Sequence, residues 1–518
     1  MDLFRTKSVE RTLDETREEG RSLKRNLNTW DLALMCVAVA VGAGIFSVGA
    51  QAAAYYAGPS SIISFLIAGI VCGGTVLCYA EFTSMVPAAG SAYTFTYTTV
   101  GEFVAWIIGW DLVLEMLMAG AVVAKYWGVY LSDFTRLMGW NLRMTVQLGP
   151  VSFDWAPFLI IAFFTALLVI GTQLSARVDG TLTAIKIGIV LFIIVAGLFY
   201  IKWSNFVPFI PHSAPASSVR QGVSSGLMEQ PLWQWISGRK ATAYGVPGIF
   251  SGAALVFFAF VGFDAVATAS EEAKNPEKTV PHGIILGLSI IIVLYMAVAF
   301  VTTGIVSYKT LAKAPNPSLS VAFELAGASW AAKIISIGIV IGMATVVMVL
   351  LLGLTRILFA MSRDGLLPRN LSKTNKRGTP AALQIGGAVV MACIASFFDV
   401  SVLSDMVNIG TLSAFLLVSL AIPIMRNRRP DLKRGFTMPG NPWLPILTAV
   451  ACVFISINLS VLTWIRFLVW LLIGFVVYFG YSYRHAGIRT LEVVDGELDA
   501  GASRDASSAE SGGAVPAN

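Results

Sequence analysis

No charged residue occurs between Leu32 and Ala80. A stretch of this kind cannot form the outside of a soluble domain, where charged side chains meet water. A helix needs about 20 predominantly apolar residues to cross a bilayer. The stretch is interrupted only by the turn-forming sequence GPSS at residues 58–61. It therefore predicts two membrane-spanning helices in succession.

The composition of the whole chain agrees with a membrane protein. Hydrophobic residues make up 56% of the 518 residues and charged residues only 13%, against roughly 25% charged in ordinary globular proteins. These values exclude a soluble domain, a disordered chain and a coiled coil. The same length criterion predicts an all-α polytopic protein with twelve spans, numbered in chain order, near residues 32–57, 59–86, 102–132, 155–173, 180–201, 247–270, 281–306, 333–361, 380–397, 405–425, 443–463 and 465–483.

Lysine and arginine are distributed unevenly between the connecting segments. With the N-terminus inside, 24 of the 36 basic residues fall in inner segments and 10 in outer ones. Because cytoplasmic loops carry the excess of basic residues, both termini are predicted to lie in the cytoplasm, on a multi-pass protein of the plasma membrane. The net charge of +6 then follows from topology, and no nucleic-acid partner is expected.

Cysteine and histidine usage gives no sign of a cofactor or a metal. The five cysteines all lie within apolar runs, and the three histidines are far apart in the sequence. Neither group has the spacing of a metal site or of a disulfide framework. We expect no cofactor, no metal ion and no obligatory protein partner.

Span 1 contains the sequence VGAGIF at residues 41–46. Glycine inside a helix costs about 1 kcal/mol relative to alanine, so Gly42 and Gly44 predict a weak point. Where a helix breaks at membrane depth, its bare N–H groups must face protein or a polar ligand, and the start of the next helical segment suits a carboxylate. In an alternative interpretation, the two glycines only let a neighbouring helix approach closely.

Span 6 repeats the pattern in the sequence FFAFVGFDA, residues 257–265. Paired glycine-interrupted segments at matching positions of two halves are the best sequence indication of a transporter's binding site. Unwinding from Phe258 to Val261 would expose carbonyl groups suited to an ammonium group. A carboxylate site opposite an ammonium site describes an amino acid. From the span count and the two breaks we expect a 5+5 inverted repeat with broken helices 1 and 6.

Ionisable residues at membrane depth indicate function by default. Asp111 and Glu115 stand four residues apart on span 3, hence on one helical face, whereas Lys125 lies near the outer interface and can snorkel. Lys186 on span 5 is either a proton carrier or a permanently charged lysine paired with Glu115 or Asp111. Asp264 either caps the broken helix of span 6 or faces the side-chain pocket and favours cationic substrates.

Seven sequence blocks in order resemble one family. They read LFRTKSVE near the N-terminus, LKRNLNTWDL before span 1, VGAGIF within it, YAEFTSMVPAAGSAYTFTY after span 2, GEFVAWIIGWDLVLE in span 3, FFAFVGFDAVATASEEAKNP around span 6 and TRILFAMSRDGLLP after span 8. The chain resembles the amino acid–polyamine–organocation superfamily, and within it bacterial permeases similar to cationic amino acid transporters.

The resemblance implies a fold and a site. The fold has a ten-helix transport core of 5+5 inverted helices (31–425) and two further spans (426–483). Apart from the resemblance, the mixed charges of residues 1–30 predict a cytoplasmic amphipathic segment, and the small, polar residues of 484–518 predict a disordered tail. The implied substrate carboxylate site is formed by N–H groups of Gly42, Ala43 and Gly44. The implied ammonium site is formed by the carbonyl groups of Ala40, Phe258, Ala259 and Val261.

The resemblance also implies roles for side chains. Phe258 would be the aromatic gate, and Lys186 stands where related proton-coupled permeases place a lysine instead of a sodium ion. Glu115 and Asp264 match positions that the family uses near the site. Two departures are an alanine at Ala43, where many relatives carry threonine, and a long insertion within the outer loop 203–246, whose role the sequence leaves open.

The resulting functional prediction is secondary active import of amino acids, coupled to protons, by alternating access in the lipid bilayer. An exchanger or uniporter without proton coupling would use the same site. A non-transporting amino acid sensor is an alternative of another class. The sequence carries no HExxH or P-loop motif. Its GxSxG match, GVSSG at residues 222–226, lies in the predicted outer loop and not at the strand-to-helix turn of a nucleophile elbow. Both points argue against an enzyme. Small neutral and cationic amino acids are both compatible with the sequence.

Overall fold

The structure, a computed structural model, describes residue 5 and residues 27–85, 91–140, 142–148, 151–170, 172–219, 228–263, 266–267, 273–314, 316–375, 379–430 and 432–486. Its longer helices are α1 (Thr29–Ala40), α2 (Ser61–Met85), α3 (Ser91–Thr99), α4 (Glu102–Leu137), α5 (Trp155–Ile170), α6 (Thr172–Leu198), α7 (Gly245–Val256), α8 (Pro276–Ile305), α9 (Ser329–Arg363), α10 (Ala381–Phe397), α11 (Val400–Arg428), α12 (Trp443–Ser456) and α13 (Val461–Val477). The predicted amphipathic segment and disordered tail lie outside the described residues, apart from isolated positions at their edges.

Shorter elements complete the fold. Short α-helical turns occur at Gly49–Ala52, Ala216–Val219, Leu232–Ile236, Tyr308–Leu311, Leu319–Leu325 and Tyr483–His485, 3-10 turns at Gly58–Ser60, Trp203–Phe206, Phe257–Phe260 and Arg369–Ser372, and wide π turns at Gly44–Val48, Ala53–Ala57 and Tyr478–Ser482. Two antiparallel hairpins pair β1 (Thr145–Leu148) with β2 (Val151–Asp154) and β3 (Ala214–Pro215) with β4 (Thr242–Ala243).

The helices fit a polytopic membrane protein. Six helical segments among the described residues are long and apolar enough to cross a membrane, at Gly44–Met85, Glu102–Leu137, Pro276–Ile305, Ser329–Arg363, Val400–Arg428 and Val461–His485. Shorter apolar helices of 10–17 residues occupy the other predicted spans, at Thr29–Ala40, Trp155–Ile170, Thr183–Leu198, Gly245–Phe260, Ala381–Phe397 and Trp443–Ser456. The all-α, multi-pass class is therefore supported, and the count of twelve spans stays a prediction.

Helix α4 lies at the centre of the bundle, where it packs against α9 and α11, while α8 packs against α1 and α2. Small residues permit these close contacts. A Cβ atom at Gly287 of α8 would lie 2.6 Å from Cβ of Cys36 in α1, and one at Gly410 of α11 would lie 3.3 Å from Leu114 of α4. Close approach at small residues is how helices pack in membranes, where burial from water gives no driving force.

A buried carboxylate at the end of α2 binds both the end of α11 and the segment that follows it. Glu81 is fully buried and accepts two hydrogen bonds from the Arg426 guanidinium, at 2.8 and 2.5 Å, and one from the Met438 N–H at 2.8 Å. The ion pair joins the end of α2 to the end of α11. The pair fixes the connection between α11 and α12.

We expect Glu81→Gln to lower the free energy of unfolding by about 2–4 kcal/mol, because it leaves a largely buried guanidinium without its countercharge. Thermal unfolding of the detergent-solubilised protein measures this. The exposed residue Lys240 provides the control, since Lys240→Gln should be nearly neutral. Equal melting temperatures for Glu81→Gln and Lys240→Gln would contradict the assignment.

The 203–246 loop forms an ordered cap in its described part. Leu232 and Trp233 donate their N–H groups to the carbonyls of Leu459 and Ile457, in the turn between α12 and α13. At its other end, Tyr244 donates its N–H to the Tyr56 carbonyl at 2.7 Å. The cap therefore joins the last two helices to the end of span 1.

Candidate substrate site

The backbone of span 1 leaves helical geometry at VGAG. Asn28 caps the start of α1, where its side chain accepts hydrogen bonds from the N–H groups of Trp30 and Asp31. The helix ends at Ala40, and Val41 is extended with φ −72° and ψ 92°. Helical turns resume at Gly44. The first N–H groups of a helical segment have no acceptor within that segment, so those around Gly44 are available to a ligand.

Span 6 is irregular at the corresponding place. Helix α7 ends at Val256, a 3-10 turn covers Phe257–Phe260, and Val261 is extended with ψ 137°. Gly262 follows with φ +106°, a conformation that side-chain-bearing residues rarely adopt. The 3-10 turn and the extended residue after it place carbonyl groups outside the regular helical ladder.

The two irregular segments touch each other. A Cβ atom at Gly44 would lie 2.2 Å from the Cα of Ala259, and one at Gly262 would lie 2.6 Å from Val39. Both interpretations of the glycines thus describe part of the geometry, because Gly42 lies in the irregular stretch and Gly44 allows close packing. The main chains of spans 1 and 6 meet without intervening side chains.

Three side chains from neighbouring helices bind the carbonyls of span 1. Lys186 of α6 donates its ammonium to the Ala38 carbonyl, and Tyr130 of α4 donates its hydroxyl to the Phe46 carbonyl at 2.5 Å. Tyr295 of α8 lies 2.6 Å from the Ala40 carbonyl. These contacts supply the donors that lipid cannot give to a helix end at membrane depth.

Tyr295 also lies 2.7 Å from the Ala259 carbonyl and therefore stands between the two irregular segments. A single hydroxyl hydrogen cannot fully satisfy two carbonyl groups. Ala40 and Ala259 provide two of the four carbonyls expected to bind an ammonium group. An ammonium group would therefore supply the hydrogen-bond donors that these carbonyls lack beside Tyr295. The sequence analysis did not identify Tyr295, because nothing in its local sequence distinguishes it from a tyrosine of the helix core.

A small cavity of about 20 Å³ lies where the segments meet. Of the nine residues predicted to bind the substrate, six line it, namely Ala40, Gly42, Ala43, Gly44, Phe258 and Val261. The five further lining residues, which we did not predict, carry apolar side chains: Val39 of α1, Ala119 and Val123 of α4, and Val346 and Leu350 of α9. The space holds about one water molecule, so an amino acid enters only when the lining moves apart.

Three of the predicted ionisable residues lie outside the cavity wall. Glu115 is fully buried one turn before Ala119 on the same face of α4. Asp111 is also fully buried and accepts a hydrogen bond from Ser413 of α11 at 2.8 Å. Lys186 is 2% exposed and binds span 1 two residues before Ala40. Asp264 lies outside the described residues, so both of its interpretations stay predictions.

Lys125 differs from the expected snorkelling lysine. Its ammonium lies 3.0 Å from Asp154 and also contacts the Phe398 carbonyl at the end of α10. The hairpin β1–β2 brings Asp154 to this position, which the sequence alone did not reveal. Lys125 therefore joins α4 to the outer end of α10.

Comparisons with known proteins agree with the geometry. The family model described as amino acid permease matches residues 27–485. The chain is 41% identical over 492 residues to the branched-chain amino acid permease BcaP of Bacillus subtilis, covering 93% of this chain and 98% of the relative. It is 38% identical, with the same coverage, to the methylthioribose transporter of Bacillus subtilis.

A third relative is the vacuolar cationic amino acid transporter 2 of Arabidopsis thaliana, which is 36% identical over 437 residues, covering 83% of this chain and 64% of the relative. The family model runs through both irregular segments and the helices around them. The family consists of membrane transporters and not of enzymes. The chain therefore belongs to the amino acid permease family, within the amino acid–polyamine–organocation type that its sequence blocks resemble.

Proposed function

We propose that this protein imports neutral amino acids with branched apolar side chains across the plasma membrane. The observation that carries the proposal is the cavity between the two irregular segments, whose side-chain walls are apolar. Transport of amino acids follows from membership of the family. The choice of branched side chains rests on the lining and is supported by the name of the relative from Bacillus subtilis.

The main chain recognises the groups that all amino acids share. The carboxylate binds N–H groups of Gly42, Ala43 and Gly44, where the positive end of the helical dipole faces it. The ammonium binds carbonyls among Ala40, Phe258, Ala259 and Val261. Backbone groups at the interface of two broken helices are how transporters of this kind bind zwitterions.

The substrate side chain lies between α4 and α9. Ala119 and Val123 form one wall and Val346 and Leu350 the other. A lysine or arginine side chain would have to lose its hydration against these walls, which costs several kcal/mol without a countercharge. An aliphatic side chain instead gains from burial, at about 25 cal/mol per Å².

The transport cycle is alternating access, in which the site opens in turn to each side of the membrane. The protein has twelve spans, and both termini lie in the cytoplasm. Phe258 is the gate, since it is 5% exposed and forms part of the cavity wall. Lys186 couples transport to protons: when its ammonium releases a proton inside, the bond to Ala38 weakens and span 1 moves. Glu115, which lies one turn from the cavity, and Asp264 are the two carboxylate residues that we assign to the substrate site.

A competition panel tests the substrate class. With labelled leucine taken up by proteoliposomes, leucine, isoleucine and valine should compete at least ~10-fold better than lysine or arginine, because a difference of 1.4 kcal/mol already gives that ratio. Glycine and serine should fall between. Stronger competition by lysine or arginine would contradict the apolar pocket and favour the interpretation of Asp264 as a side-chain recognition residue.

The same vesicles separate the alternatives for mechanism. An imposed inward proton gradient should drive accumulation above equilibrium. An uptake rate that does not change with the proton gradient but requires amino acid inside the vesicles would identify an exchanger. Binding without any flux would identify a sensor.

A further inference from the structure

The end of α4 that the predicted topology places outside carries three polar side chains on successive turns. Tyr130, Asp133 and Arg136 are spaced by three residues and so share one helical face. All three contact a short helix that lies between α8 and α9. We call this helix, together with its N-cap Ser318, the 318–325 segment. One face of α4 thus forms hydrogen bonds with the 318–325 segment.

The contacts are specific for each side chain. The Asp133 carboxylate accepts hydrogen bonds from Ser320 at 2.8 Å and from Ser318 at 3.3 Å. The Arg136 guanidinium donates two bonds to Glu324, at 3.0 and 2.7 Å. These hydrogen bonds lower the pKa of the Glu324 carboxyl from its ordinary value, so the pair is charged at neutral pH.

Tyr130 connects this segment to the substrate site. Its hydroxyl accepts a hydrogen bond from the Leu319 N–H at 3.3 Å and donates one to the Phe46 carbonyl at 2.5 Å. The residue is fully buried. Phe46 lies two residues after Gly44, so one hydroxyl joins the 318–325 segment to the helical turn that provides the carboxylate site.

We propose that Tyr130 is a positioning residue that couples the carboxylate site of span 1 to the 318–325 segment. Asp133 and Arg136 hold this segment against α4 as a latch. The inference rests on the proposed function, since it takes the Gly42–Gly44 turn as the carboxylate site. When the latch is closed, the second half of span 1 is fixed against α4. When it opens, that half is free to move outward.

The contributions of the three residues differ in size. Arg136 is half exposed and Glu324 is 31% exposed, and exposed ion pairs contribute little in water. Tyr130 is buried, so loss of its hydroxyl leaves both the Phe46 carbonyl and the Leu319 N–H without this partner, which costs more than an exposed pair. Tyr130→Phe should therefore open the latch more than Arg136→Gln.

A reporter cysteine measures the latch directly. Ala50 lies one turn after Phe46 in span 1 and is 1% exposed. In intact cells, Ala50→Cys is combined with Cys393→Ser, which removes the exposed native cysteine, and is labelled with a membrane-impermeant maleimide in the absence of substrate. We expect Tyr130→Phe to raise the labelling rate about tenfold and Arg136→Gln about threefold.

Further variants distinguish a latch from general loosening. Glu324→Gln should raise labelling about threefold, like Arg136→Gln, and the double variant should show no further increase, because the two residues form one pair. Tyr97→Phe is the matched control: the Tyr97 hydroxyl is buried and has no hydrogen-bond partner among the described residues, so labelling should not change. In uptake assays with leucine, Tyr130→Phe should lower kcat about tenfold and change KM by less than twofold.

Unchanged labelling in Tyr130→Phe, or a further increase in the Arg136→Gln, Glu324→Gln double variant, would overturn the latch. Equal labelling increases in Tyr130→Phe and Tyr97→Phe would assign Tyr130 a merely structural role. Because the labelling needs no substrate, its failure is distinguishable from failure of the proposed function, which would appear as absent uptake of every amino acid by the unmodified protein.

Discussion

Gly44→Ala should reduce amino acid uptake about 100-fold. The added methyl group would lie 2.2 Å from the Cα of Ala259 and 2.9 Å from its N, and a main chain cannot rotate away as a side chain can. Separating the two irregular segments costs ~3 kcal/mol, which corresponds to the stated loss. The measurement is initial uptake of labelled leucine in proteoliposomes, normalised to the amount of folded protein.

Gly386→Ala is the matched control for this prediction. Gly386 lies in α10, is exposed, and a Cβ atom there meets nothing within 4 Å. Alanine in place of an exposed helical glycine should leave uptake unchanged and stabilise the protein by about 0.5–1 kcal/mol. Full uptake by Gly44→Ala would mean that spans 1 and 6 do not meet at this residue during transport.

Lys186→Met should abolish proton-driven accumulation and retain exchange of internal for external substrate. Methionine keeps an unbranched stem where the Lys186 side chain packs against Gly342, and it removes the ammonium that binds the Ala38 carbonyl. An inward gradient of one pH unit corresponds to about tenfold accumulation for one proton per substrate. The variant should instead reach a ratio of about one.

Lys125→Met provides the comparison, since Lys125 also lies in a predicted span and also contacts a carbonyl group. That variant should accumulate leucine like the unmodified protein, because its partner Asp154 lies in the β1–β2 hairpin, away from span 1. Accumulation by Lys186→Met to the same level would remove Lys186 from the coupling mechanism and would leave only a structural role for its contact with span 1.

The sequence predicted the helical class and the main-chain part of the site because both depend on local features. The apolar runs identify helices by length alone, and glycines within VGAGIF and FFAFVGF identify weak points in two of them. Six of the predicted residues do line one cavity. Local sequence was sufficient to predict that these residues lie together, since their position follows from the backbone conformation at the glycines.

The residues that the sequence did not reveal are defined by contacts between distant helices. Val346 and Leu350 have no feature that separates them from other aliphatic residues of α9, and they enter the site only because α9 packs against α4. Tyr295 is assigned by its position between Ala40 and Ala259. Lys125 was interpreted as snorkelling because its partner Asp154 comes from a hairpin that the apolar pattern does not predict.

The most direct test of the binding mode is an experimental density map of the protein with bound leucine. We predict that the leucine carboxylate lies within hydrogen-bond distance of N–H groups in Gly42–Gly44. Its ammonium should lie near the carbonyls of Ala40 and the Phe258–Val261 segment, and its side chain between α4 and α9. Leucine bound elsewhere, or spans 1 and 6 seen as continuous helices through Gly42 and Gly262, would contradict the account.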